Sequence, residues 1–215
     1  KFLGTIGDIG CYSFHETKNL TCGEGGLFVT NSKLIVKKAE IIRENGTNRQ
    51  AFLRKEVDKY VWMACGSNFR MSSILAVIIG EQLKKFNLIQ NKRKSIFNYY
   101  LERLRMLEVE GLVILPKIPK ECKPNWHIFY CRLKNKVTRN LVLDKLKSFG
   151  IQAAFHYVPL HSSPFGKYIL GNKKELLPVT EQVSKTLIRF PLYPELKREE
   201  QDFIIDSLYK ITKGL

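Results

Sequence analysis

Apolar residues follow two rhythms along this chain: short runs fenced by glycine, and longer stretches with an apolar position every three to four residues. The segment Ile9-Gly10-Cys11-Tyr12-Ser13-Phe14-His15 is of the first kind and predicts a strand. Leu27-Phe28-Val29-Thr30 predicts a second. Between them runs a polar turn, Glu16 to Gly26, closed by Gly23, Gly25 and Gly26. This places Lys18 on a loop between two strands, the kind of position from which a rigid scaffold presents chemistry.

The second rhythm begins after Asn31-Ser32, which cap a helix running to about Glu44, with Leu34, Ile35, Ala39, Ile41 and Ile42 as its apolar side and Gly46 as its stop. Residues 45–68 are polar and mixed and read as a long functional loop. From about 72 to 106 the three-to-four spacing persists, through Leu75, Ile78, Ile79, Phe86, Ile89, Ile96, Tyr100 and Leu104. It predicts one long helix joining two domains, 1–90 and 91–215, with a bend at Asn91. After Gly111 the pattern alternates. Strands are expected at Val113-Ile114-Leu115, at 127–133 and from Ile151 to His156. Helices are expected from a Thr138 cap through Phe149 to a stop at Gly150, near 178–188, and near 197–212. Such alternation predicts a small α/β domain at the C-terminal end.

Composition changes this picture in two places. The chain has 215 residues, 44% hydrophobic and 26% charged, so it can bury a core, and no apolar run is long enough to span a membrane. Its 36 Lys and Arg against 20 Asp and Glu give a formal charge of +16, which raises nucleic-acid binding as a reading. The basic residues are spread out, however, and no RNP or zinc-finger signature accompanies them, so a lysine-rich solvated surface is expected instead, with attraction of phosphorylated ligands as a weaker functional use. The five cysteines form no CxxC pair; neither a disulfide framework nor a metal site is expected, and a reducing cytoplasm fits. Cys11 and His15 share a strand face without a second pair of ligands.

Ser13-Phe14-His15-Glu16-Thr17-Lys18-Asn19 followed by Gly23-Glu24-Gly25-Gly26 resembles the cofactor-lysine motif of the DegT/StrS sugar aminotransferases. Further segments resemble one branch of that family, the dTDP-4-amino-4,6-dideoxygalactose transaminases. They are Leu3-Gly4-Thr5-Ile6-Gly7, Gly46-Thr47-Asn48-Arg49, Val57-Asp58-Lys59-Tyr60, Gly66-Ser67-Asn68 and Met71-Ser72. Phe155-His156-Tyr157-Val158-Pro159-Leu160-His161 resembles the family's small-domain segment, so the likeness covers nearly the whole chain.

The resemblance implies an α/β fold of type I, aspartate-aminotransferase-like, and a pyridoxal 5′-phosphate (PLP) cofactor held as a Schiff base on Lys18. Only a primary amine can condense reversibly with the cofactor's aldehyde, and the released amine then serves as general base and acid. By the same resemblance Ser13 binds the cofactor phosphate, and Asn68 reaches that phosphate across a homodimer interface. His156, Tyr157 and His161 lie near the sugar-nucleotide site. Arg70 is left unassigned, and His15 reads as a structural residue sooner than as a ligand contact. The implied reaction is transamination of a nucleotide-linked 4-keto-6-deoxy sugar, with glutamate as amino donor, in surface-polysaccharide synthesis. A dehydratase of the same family would carry histidine in place of Lys18.

The family keeps the acid that protonates the cofactor's ring nitrogen, an aspartate, upstream of its lysine motif, whereas only 17 residues precede Lys18 here and Asp8 is the sole aspartate among them. The expectation is therefore a C-terminal part of such an enzyme, lacking the first half of the large domain and weakly active or inactive alone. The competing reading is non-catalytic: a truncated remnant, or a basic domain that binds a partner or nucleic acid.

Overall fold

The computed structural model describes residues 1–134, 139–171 and 177–214 and divides the chain into two units, Lys1–Asn87 and Leu88–Leu215. In the first, strands β1 (Gly10–Ser13) and β2 (Gly26–Val29) pair antiparallel, with Gly10 opposite Val29 and Ser13 opposite Gly26. Helix α1 (Lys33–Arg43) starts where Ser32 Oγ accepts the Ile35 N–H at 3.4 Å. Ser32→Ala should cost about 1 kcal/mol, the usual worth of such a cap, read as faster amide exchange in the first turn of α1.

A short helix, α2 (Arg49–Leu53), lies inside the stretch expected to be loop. The return segment 62–69 closes against the C-terminal end of α1, and two glycines allow it. A Cβ on Gly46 would stand 1.7 Å from the Ala64 carbonyl oxygen, and one on Gly66 2.3 Å from the Gly46 nitrogen. Helix α3 (Ser73–Lys84) then packs Ile79 with Phe14 and Cys22, the buried nucleus of this unit, flanked by Leu20, Met71 and Leu75. Large side chains elsewhere in it stay exposed, among them Trp62 and Ile74, each 75%.

The single helix expected over 72–106 is three: α3, α4 (Phe86–Arg103) and α5 (Arg105–Val109). The breaks fall at Lys85 and Leu104, and Asn91 lies inside α4. Apolar periodicity runs across all three and so conceals both breaks.

In the second unit β3 (Val113–Ile114), β4 (Phe129–Leu133) and β5 (Leu187–Phe190) form an antiparallel sheet with β4 in the centre. Phe129, Cys131 and Leu133 are buried and alternate with half-buried Tyr130 and Arg132, the period of a strand with one face on a core. That core takes Ile96, Phe97 and Tyr100 from α4, Val142 and Leu146 from α6 (Arg139–Ser148), and Ile204, Ile205, Leu208 and Ile211 from α9 (Arg198–Lys213). Burial lowers the Arg93 guanidinium to about 10, and it donates to the carbonyls of Trp126 and His127 at 2.9 and 2.5 Å, fixing the chain's entry into β4.

Two expectations fail here, and one helix is added. Ile151 to His156 is not a strand: it meets β5 only through the reciprocal Ala154–Arg189 pair, at 3.0 and 2.7 Å. The helix expected to 188 stops as α8 (Pro178–Thr186), and the next four residues form β5. Helix α7 (Pro164–Leu170), capped by Ser163 Oγ, was not expected. The Thr138 cap lies outside the described residues.

Candidate active site

Two strands and a pinned loop present Lys18. Past Ser13 the loop 14–25 is closed by main-chain bonds from Phe14 N–H to the Gly25 carbonyl (2.8 Å) and from Cys22 N–H to the Phe14 carbonyl (3.0 Å). Thr21 donates its hydroxyl to the Phe14 carbonyl at 3.1 Å, and its N–H goes to Gln82 Oε1 of α3 at 3.0 Å. Space at Gly25 is tight: a Cβ there would stand 2.4 Å from Met71 Cε and 2.8 Å from Cys22 Sγ, so both side chains would have to shift. Thus Phe14 and Cys22 go down into the nucleus, and the tip between them stands out from it.

At that tip the Lys18 N–H donates to the His15 carbonyl at 2.9 Å, closing a turn that carries the side chain into the open. Among the described residues the Lys18 amine makes no hydrogen bond or ion pair. Ser13, also exposed, holds the start of the same loop, its Oγ accepting the His15 N–H at 3.3 Å. His15 belongs to this turn too. Its Nδ1 faces the Thr17 N–H at 3.2 Å, and a main-chain N–H can only donate. The ring proton is therefore assigned to Nε2, which faces Glu24 Oε1 at 3.5 Å. The structure thus brings Ser13, His15 and Lys18 together.

Asn68 lies in a different part of the same unit, and no hydrogen bond joins it to Ser13 or Lys18. It forms an isolated antiparallel bridge with Glu44, supported by Asn45 N–H to the Ser67 carbonyl and Phe69 N–H to the Arg43 carbonyl, both 3.1 Å. Its side chain is exposed, and Oδ1 accepts the Arg70 N–H at 3.4 Å.

Sequence reasoning missed the neighbourhood of that bridge. Glu44, with its side chain only 3% exposed, takes a hydrogen bond from Gln50 Nε2 at 2.7 Å. Arg43, Arg49 and Arg70 surround it, each with a nitrogen 3.6 Å from a carboxylate oxygen and each 40–50% exposed. These residues come from three segments, so spacing along the chain gives no sign of the cluster.

In the second unit His156 and Tyr157 are exposed and meet edge to face, with ring centroids 5.1 Å apart. His161 is half-buried and bound through Nε2 to Glu181 Oε1 at 2.8 Å, a partner the sequence did not reveal. Partial burial, and secondarily the positive Arg189, lower the His156 pKa from its ordinary value near 6.5. An NMR titration of the ring should place its midpoint below that of a free imidazole, and Arg189→Gln should move it upward. Because the folded value is the depressed one, any stability this group confers is present above about pH 6.5 and fades as pH falls through the folded value.

A lysine offered on a strand-to-strand loop of an α/β scaffold is the arrangement of fold-type-I aminotransferases. The chain belongs to the DegT/DnrJ/EryC1/StrS aminotransferase family, whose model matches residues 1–209. It is 34% identical to an uncharacterized protein of Methanocaldococcus jannaschii, MJ1066, over 99% of this chain and 56% of that protein. It is 27% identical to the spore coat polysaccharide biosynthesis protein SpsC of Bacillus subtilis, over 100% of this chain and 56% of the relative. Among solved structures, the Helicobacter pylori aminotransferase PseC, involved in the biosynthesis of pseudoaminic acid, superposes with a TM-score of 0.86 at 25% identity, covering all of this chain and 56% of its own. The chain therefore spans about half the length of these relatives.

Proposed function

We propose that this chain carries the cofactor lysine of a PLP-dependent sugar aminotransferase. The substrate is a nucleotide-linked 4-keto-6-deoxy sugar on a dTDP carrier, the donor is glutamate, and the product is the 4-amino sugar used in surface polysaccharide. The single observation that carries the reading is the Lys18 amine, exposed on a loop whose ends are pinned in a buried nucleus and engaged by no acceptor or carboxylate among the described residues.

The residues present fit the cofactor: one free primary amine, and a serine hydroxyl at the start of the same turn. When bound, PLP supplies an aldehyde for that amine and a ring that withdraws electrons from the reacting carbon. Lys18 Nζ takes the α-proton from the donor in one half-reaction and delivers a proton to the sugar's C4 in the other. Ser13 and Asn68 hold the cofactor phosphate, Asn68 from the second copy of a homodimer. His156, Tyr157 and His161 contact the sugar nucleotide, with Glu181 fixing the His161 ring. The enzyme works in the cytoplasm; no helix among the described residues is long and apolar enough to cross a membrane.

The test is incubation of the intact protein with PLP, borohydride reduction and peptide mapping. A visible absorption band and a reduced pyridoxyl mass on Lys18 are expected. Labelling spread over surface lysines, or none, together with salt-sensitive retention on heparin, overturns the reading in favour of a basic binding domain.

A further inference from the structure

The cluster around Glu44 holds more positive charge than its carboxylate can neutralise. One carboxylate faces three guanidinium groups, each with five N–H donors. Its Oε1 is already bound to Gln50 at 2.7 Å, and the three arginine approaches, at 3.6 Å, are longer than hydrogen bonds. If the arginines served only to balance Glu44, one would suffice. Instead they converge from the end of α1, the start of α2 and the loop after Asn68. Two positive charges remain uncompensated, and all three side chains keep 40–50% of their surface.

Fork-shaped donors around a local charge of two match a phosphate group, which carries close to two negative charges and three acceptor oxygens. We propose that Arg43, Arg49 and Arg70, held apart and aimed by Glu44, form a receptor for a phosphate group of the enzyme's ligands. Glu44 is the positioning residue. Its side chain collects the arginines while its main chain bridges Asn68, so one residue sets both the cationic cluster and the amide beside it. The function proposed above bears on this site only in saying where the phosphate comes from: the cofactor's monoester or the diphosphate of the nucleotide sugar.

The intact protein separates the two sources in paired titrations, PLP against pyridoxal and dTDP against thymidine. Arg49→Gln and Arg70→Gln should each weaken one phosphorylated probe about tenfold, the loss of a charge-assisted contact, and leave its unphosphorylated counterpart unchanged. The difference should shrink in high salt. Loss confined to PLP assigns the cofactor phosphate; loss confined to dTDP assigns the diphosphate. Glu44→Gln should weaken the same probe, and Glu44→Asp should recover part of the loss.

The parent protein gives a second measurement if a variant does not fold. Saturating probe should slow phenylglyoxal modification of the three arginines severalfold. Affinities within about twofold of the parent in both variants, or arginines left unprotected, overturn the receptor. Lys18 labelling is scored separately. Intact labelling without any probe effect sinks the arginine site alone, while absent labelling with dTDP affinity lost in the variants sinks the Lys18 assignment alone.

Discussion

Lys18→Ala should abolish borohydride-fixed cofactor and reduce sugar transamination by at least about a thousandfold, the combined loss of a covalent anchor and of a proton carrier. Lys18→Arg should do no better, because a guanidinium keeps the positive charge yet cannot condense with an aldehyde or give up its proton near neutral pH. Neither change should disturb the fold. The side chain is exposed and has no partner among the described residues, so thermal stability without cofactor should stay within about 0.5 kcal/mol of the parent. The informative comparison is therefore between two exposed lysines. Lys84, ion-paired to Glu81 at 2.6 Å, should tolerate alanine with full activity. A Lys18→Ala enzyme retaining more than about a tenth of parental turnover would refute the assignment.

The loop position of Lys18 is legible in the sequence because everything that places it is local. The strand, the turn residues and the glycine cluster lie within seventeen positions of one another, and each obeys a short-range rule. The same locality made Ser32 legible as a helix cap and Gly46 and Gly150 legible as stops, both with positive φ, 76° and 78°. What escaped was decided at long range. Leu187-Ile188-Arg189-Phe190 continues the apolar spacing of α8, and only pairing with β4, Phe129 against Phe190 and Cys131 against Ile188, draws it out as β5. Ile151 to His156 has strand composition but a single pairing partner in Arg189, too little ladder to make it one.

For the site the split is the same. Ser13 and Lys18 belong to one turn and can be placed from one motif. The setting of Asn68 depends on Glu44, 24 residues earlier, which also meets Arg70 only because the segment 62–69 returns to the end of α1. His161 was visible as a candidate, but its engagement with Glu181 was not, since the two meet only when α8 folds back toward residues 160–162. Charge, too, misleads when read as a sum. The formal +16 suggests a diffuse basic surface, whereas the structure gathers three of the arginines around one buried acid.

The second unit stands on aromatic packing, and Phe129→Ala should cost it about 3–5 kcal/mol. Phe129 is fully buried and is the first residue of the middle strand. Its ring stacks on Tyr100 at 4.9 Å and meets Phe97 edge to face at 5.0 Å, with Phe190 at 6.2 Å from the neighbouring strand. Three elements therefore lose their common contact at once, and the sheet cannot collapse to refill the space while its ladder hydrogen bonds hold the strands apart. Set against a typical domain stability of about 5–15 kcal/mol, the loss consumes a large share of what holds this unit folded. Amide exchange of β4 and β5 should accelerate by at least about a hundredfold, while that of β1 and β2 in the first unit stays unchanged. Phe129→Leu, which refills most of the volume, should cost markedly less, and Tyr130→Ala, on the half-buried face of the same strand, less than about 1.5 kcal/mol. Equal exchange rates in Phe129→Ala and Tyr130→Ala would mean that the ring cluster is not what stabilises β4, and the hydrophobic core would have to be sought in the contacts of α6 and α9 instead.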